Sequence, residues 1–186
     1  VAESLEQAGF RTAVTVQDNP FLLSYADQFS VFVFHRVLYT ETVATLVARL
    51  KAQDKTIIFE TDDLVYDPEF LKHMDYYQHM NAWEKKLYEH GLGGEILALE
   101  AVRVATTTTS FLAEKLRSKG KEVYVVRNQL SKQDVIWAAD ALAKKVNSHK
   151  LSVNHPIRIG YLSGTPSHNK DFATITGALV SILEQY

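Results

Sequence analysis

The sequence predicts an α/β fold, a doubly wound parallel sheet with helices on both faces. Two observations carry that expectation. Short runs rich in Val, Ile, Phe and Thr recur without clean polar alternation, as strands buried on both faces require. Between them lie stretches whose apolar residues repeat at helical spacing. Alternation of the two with short links implies parallel strands joined by right-handed crossovers.

The elements follow in order. Val1–Gly9 reads as the rear of a helix feeding a first strand, Thr12–Val16. In a doubly wound sheet a strand precedes such a helix. The expectation is therefore a chain that starts inside its domain, leaves an apolar sheet edge open and self-associates through it. Four more strands are expected at Phe29–Phe34, Thr56–Glu60, Val102–Thr106 and Glu122–Val126. Glu41–Ala52 places Val43, Leu46, Val47 and Leu50 on one helical stripe. Trp83–Ala101 is helical but interrupted by Gly91, Gly93 and Gly94, which predicts a break. Ser110–Lys119 starts at a serine N-cap, turns Leu112 and Leu116 inward and stops at Gly120. Leu130–Val146 is a further helix. The polar, Pro-terminated stretch Asn147–Pro156 is the expected linker. Residues 1–146 then form one sheet domain and 157–186 the opening strand and helix of a second.

Composition narrows the function classes. A net charge of −2 leaves no electrostatic footprint for nucleic acid. The absence of cysteine excludes disulfides and thiolate metal sites. No run approaches a membrane span and no secretory signal pattern opens the chain, so a cytoplasmic protein is expected.

Candidate chemistry lies where strands end, because ligands of parallel sheets gather beyond the carboxyl ends. His35-Arg36 follows the strand run Phe29–Phe34. Glu60-Thr-Asp62-Asp63 follows the next, and its carboxylates suit a general base, a hydroxyl-orienting group, a metal or a simple helix cap. A phosphatase reading would need Glu60 where such enzymes carry a nucleophilic aspartate. Ser163, Gly164 and Thr165 lead from a short apolar strand into a helix, an arrangement whose free N–H groups favour an anion. His73 and His79, six apart, do not share a helical face, so no zinc site is expected. Thr106–Ser110 and Asn128 read as structural. The aromatics Tyr66, Phe70, Tyr76, Tyr77, Trp83 and Tyr88 read mainly as core. No Gly-rich dinucleotide fingerprint, Walker loop or nucleophile elbow is present.

Taken in order, the strand ending FHRV, the strand ending IIFETDDLVYDP, the passage LALEAVRVATTTTSFLAEKL, the exit EVYVVRNQL and the run IRIGYLSGTPSHNKDF resemble the group 1 retaining glycosyltransferases, which pair two Rossmann-like domains (the GT-B fold). The chain departs from that pattern in having Asp62-Asp63 where many members carry histidine, and Gly164-Thr165 where Gly-Arg is common. The resemblance implies a Rossmann-like acceptor-side domain plus the start of the nucleotide-sugar domain, a fragment inactive by itself. The parent would move a sugar from a nucleotide-sugar to an acceptor of unknown kind (saccharide, lipid or protein), with no cofactor and no metal. It implies Asp62 and Asp63 as catalytic, His35 and Arg36 as acceptor-side cleft residues, and Gly164, Thr165 and Lys170 near the donor phosphates. The alternative is a non-catalytic Rossmann-like binding or interaction domain.

Overall fold

The computed structural model describes residues 2–71, 73, 75–149, 159–161 and 169–185. They divide into two units, residues 1–127 and 128–186. In the first, helix α1 (Ala2–Gln7) leads into an irregular stretch, 11–16, that joins no sheet. The strand expected at Thr12–Val16 is thus corrected. Its β-branched residues have the right preference, but no described strand pairs with them, and Val14 and Val16 stand exposed. Strand preference expresses side-chain packing on a ladder and fails where no ladder forms.

The other four expected strands form: β1 (Val31–His35), β2 (Thr56–Thr61), β3 (Val104–Thr107) and β4 (Glu122–Val125). They make one all-parallel sheet in the order β1-β2-β3-β4. Register pairs Phe34 with Phe59, Phe59 with Ala105, and Ala105 with Val123. These four residues share one face, and all are buried. The opposite face carries Val31, Val33 and Tyr124, all exposed.

That asymmetry has a topological cause. A strand order that never reverses, with right-handed crossovers, sends every connecting helix to the same side. Helix α2 (Glu41–Ala52) buries Val43, Leu46, Val47 and Leu50 there, as its stripe predicts. Helix α5 (Gly94–Ala98) adds Ile96 and Leu97, and α6 (Ser110–Arg117) adds Leu112, Ala113 and Leu116 to the same core. Each Val, Leu or Ile side chain so removed from water contributes about 1.5–3 kcal/mol. The sheet is Rossmann-like in being parallel and helix-flanked, and within the first unit the described helices that join the core, α2, α5 and α6, all serve one face. A switch point would need Thr12–Val16 to join the sheet beyond β1, and it does not.

Local chemistry sets the helix ends. Thr40 caps α2 by accepting the Val43 N–H at 3.3 Å. Asn81 and Glu84 form a reciprocal capping box on α4 (Ala82–Leu87). The expected long helix breaks after Leu87 and resumes at Gly94, with a short α3 (Pro68–Leu71) upstream. The cap of α6 is Thr109, which accepts the Leu112 N–H at 3.2 Å, and Ser110 is the first helical residue. In a run of adjacent hydroxyls the cap falls on the residue with extended backbone, here Thr109.

In the second unit, Ser131 and Asp134 exchange side-chain and backbone hydrogen bonds at the start of α7 (Lys132–His149). Residues 159–161 carry no strand, and α8 spans Asn169–Gln185. The first three residues of the expected linker 147–156 are therefore helical, and the others lie outside the described residues; of the expected strand 157–162, residues 159–161 form no strand and the other three lie outside the described residues. The helix expected at Leu130–Val146 forms as α7 and groups with the second unit rather than with the sheet.

Candidate functional site

Because β1 and β2 are parallel, with His35 opposite Glu60, the residues that follow them emerge on one rim of the sheet. Immediately after β1, Arg36 adopts φ +50°, in the left-handed region that costs a side-chain-bearing residue on the order of 1 kcal/mol. The turn delivers its guanidinium to the end of β2. There Arg36 Nη2 lies 2.7 Å from Asp62 Oδ1 and also binds Asp63 Oδ2. All three side chains are 36–39% exposed, so the cluster is a wet strand-end site rather than a buried ion pair.

The two carboxylates are held differently. Asp63 Oδ1 accepts the Val65 N–H at 3.1 Å, and the Thr61 hydroxyl donates to the Asp63 carbonyl at 2.8 Å. Thr61 is fully buried, so this turn is anchored in the core. Asp63 therefore has both oxygens engaged. Asp62 is bound only through Oδ1, and its second oxygen has no partner among the described residues. His35 is exposed and shares the open sheet face with Glu60.

The next segment, Leu64–Tyr66, is clamped by the glycines of the helix break. Leu92 N–H donates to the Val65 carbonyl at 2.7 Å. A Cβ on Gly91, whose φ is +73°, would lie 2.1 Å from the Tyr66 carbonyl oxygen, and one on Gly94 2.5 Å from it. The glycines thus let a second backbone approach the chain just after the acidic pair. Sequence reasoning placed a break at these glycines but missed the clamp, and the GLGG run was its only signal. Tyr66 is buried with its ring edge-on to Phe59, centroids 5.7 Å apart. Its hydroxyl has no hydrogen-bond partner among the described residues, and burial, then the charge of Asp67, pushes its pKa up to about 12. The Thr107 hydroxyl, at the end of β3, is likewise buried without a partner.

Other expected residues take their places as follows. Gly164 and Thr165 lie outside the described residues, and Lys170 is described only as backbone within α8. Trp83 and Phe70 are exposed, which corrects the reading of the aromatics as mainly core; of that set Tyr66 alone joins the described core. A shallow groove that the sequence did not single out, lined by Tyr39, Ala48, Leu99 and the exposed Glu100, shares no residue with the strand-end cluster. Among the described residues no three His, Asp or Glu are placed to hold a metal ion, and no helix is long and apolar enough to cross a membrane.

Fold and site define an α/β parallel-sheet protein with a charged cluster at its strand ends. No protein-family model, no curated protein and no solved structure matches the chain.

Proposed function

We propose that this chain is the acceptor-side part of a glycosyltransferase of the GT-B type, moving a sugar from a nucleotide-sugar to a hydroxyl-bearing acceptor. The observation that carries the reading is the gathering of His35, Arg36, Asp62 and Asp63 on one rim, at the carboxyl ends of adjacent parallel strands. The motif order along the chain, with its resemblance to group 1 transferases, supports the same reading. In it Asp62, with one oxygen unengaged, takes the proton of the acceptor hydroxyl. The acceptor oxygen then bonds to the anomeric carbon on the same face from which the nucleoside diphosphate leaves, the retaining course of the family it resembles. Arg36 and Asp63 position that carboxylate, and His35 contacts the acceptor. Gly164, Thr165 and Lys170 belong to the donor-phosphate side.

The test is an amide-resolved NMR titration of the chain with neutral oligosaccharides and, separately, with nucleotide-sugars. Oligosaccharide should shift the signals of residues 35, 36, 62 and 63 with a roughly millimolar Kd. Asp62→Asn should abolish the shifts while the fold is retained. Shifts confined to other regions, or none, would refute the acceptor assignment.

One observation favours the second reading, a non-catalytic Rossmann-like binding domain: Arg36 neutralises the very carboxylates that a base mechanism needs. Under that reading Arg36→Ala weakens binding, whereas in the transferase it leaves the carboxylate of Asp62 unpositioned and slows transfer.

A further inference from the structure

Two buried threonines stand side by side at the strand ends. Thr61 closes β2, Thr107 closes β3, and the register pairs them directly. Each is 1% exposed. Side-chain alternation along the strands puts both on the helix-covered face with Phe59 and Ala105. Their hydroxyls differ. That of Thr107 has no hydrogen-bond partner among the described residues. That of Thr61 clasps the backbone of Asp63, donating to its carbonyl at 2.8 Å and accepting its N–H at 3.4 Å.

A threonine hydroxyl that bonds the backbone two residues on closes a turn. Here the closing hydroxyl belongs to the core, while the Asp63 side chain that follows is 36% exposed on the wet rim. From Asp63 the linkage runs outward. Its Oδ1 accepts the Val65 N–H at 3.1 Å, and its Oδ2 binds Arg36 Nη2. The same nitrogen reaches Asp62 Oδ1 at 2.7 Å. Among the described residues the Asp62 side chain is held by Arg36 alone, and the Arg36 side chain by the two carboxylates alone. Exposed ion pairs of this kind are weak and do not by themselves fix long side chains. The fixed point beneath the cluster is the Thr61 hydroxyl, and the glycine clamp holds the far end of the turn at Val65.

We propose that Thr61 is the positioning residue of the rim site. Its hydroxyl fixes the backbone of Asp63. Through Asp63 and Arg36 it sets where the open oxygen of Asp62 meets an acceptor hydroxyl. What the cluster binds rests on the transferase reading; how the cluster is held does not.

The experiment follows the Arg36 Nε–H signal by NMR, first without ligand and then with neutral oligosaccharide. Thr61→Val removes the hydroxyl and keeps the shape, and should move that signal toward the position of exposed, freely rotating arginines. Thr107→Val removes a hydroxyl that bonds to nothing, and should leave the signal in place. Thr61→Ser restores a hydroxyl and should return it. With oligosaccharide, Thr61→Val should bind about fivefold more weakly than the original chain, the effect of roughly one hydrogen bond, while Thr107→Val binds as the original does. Far-UV circular dichroism checks the fold, and Thr61→Ala, which also lacks the hydroxyl, remains informative if Thr61→Val unfolds. An Arg36 signal unmoved in both hydroxyl-free variants of Thr61, or moved as far in Thr107→Val, would overturn the inference. If the original chain binds no oligosaccharide, the acceptor reading fails by itself, and the ligand-free signals still decide the role of Thr61.

Discussion

Replacing Tyr66 by phenylalanine isolates a single buried hydroxyl. The ring fills the core against Phe59, and Phe keeps that packing. The hydroxyl has lost its water and gained no partner, a state that costs about 1–3 kcal/mol. Tyr66→Phe should therefore leave stability unchanged or raise it by about 0.5–1.5 kcal/mol at pH 8. The alkaline limb adds a second readout. Tyrosine in the unfolded chain ionises near its ordinary value of 10.0, and in the folded protein near about 12. Between those values the unfolded chain releases a proton that the folded one retains, so stability falls as pH rises. The contribution is fully present below pH 10 and lost by about pH 12. At about 1.4 kcal/mol per pKa unit the total is about 3 kcal/mol, with roughly half gone at pH 11. Tyr124, whose pKa is also raised, by its hydrogen bond to Glu122, is present in both proteins and cancels in the comparison. Urea unfolding of both proteins at pH 8 and pH 11 should give a stability difference about 1–2 kcal/mol larger at the higher pH. An identical difference at both pH values, or a Tyr66→Phe protein weaker by more than about 1 kcal/mol at pH 8, would refute the unpartnered hydroxyl.

Gly91→Ala should cost about 2–4 kcal/mol in denaturant unfolding, because the new Cβ meets the Tyr66 carbonyl and a positive φ must be held by a side-chain-bearing residue. A loss below about 0.5 kcal/mol would show that the loop yields freely. Arg36→Gly should be nearly neutral for stability, since relief of about 1 kcal/mol of backbone strain offsets two exposed ion pairs worth about 0–1 kcal/mol each. Arg36→Ala loses the pairs without the relief, and equal thermal stability of the two variants would exclude the strain. Leu46→Ala, in the fully covered stripe of α2, should cost about 2–4 kcal/mol in urea, and a smaller loss would mean that the site collapses onto the cavity.

Local pattern explains what was legible from the sequence. The bounds of α2 follow directly from its stripe, because helix periodicity and caps are short-range properties. β2 and β4 were readable from β-branched and aromatic runs bounded by polar residues. Thr12–Val16 has the same composition and forms no strand, because a strand depends on a neighbour that local composition does not reveal. Strand-end reasoning brought His35, Arg36, Asp62 and Asp63 to one rim. It did not foresee Arg36 bridging the two carboxylates, which follows from a backbone conformation usual for glycine. Nor did it distinguish Asp62 from Asp63, since that depends on the buried Thr61 anchoring the turn.

The unreversed strand order also bears on how the first unit folds. Each strand pairs with the strand next in the chain, so every new ladder closes one intervening loop, and that cost grows only slowly with loop length. No pairing has to wait for a segment from the far end of the sequence. Parallel sheets are ordinarily slow to form because distant segments must meet before any contact rewards them. In this unit assembly proceeds by addition, one strand and its covering helix at a time. The β2–β3 step, which spans the acidic pair and the glycine clamp, carries the longest closure.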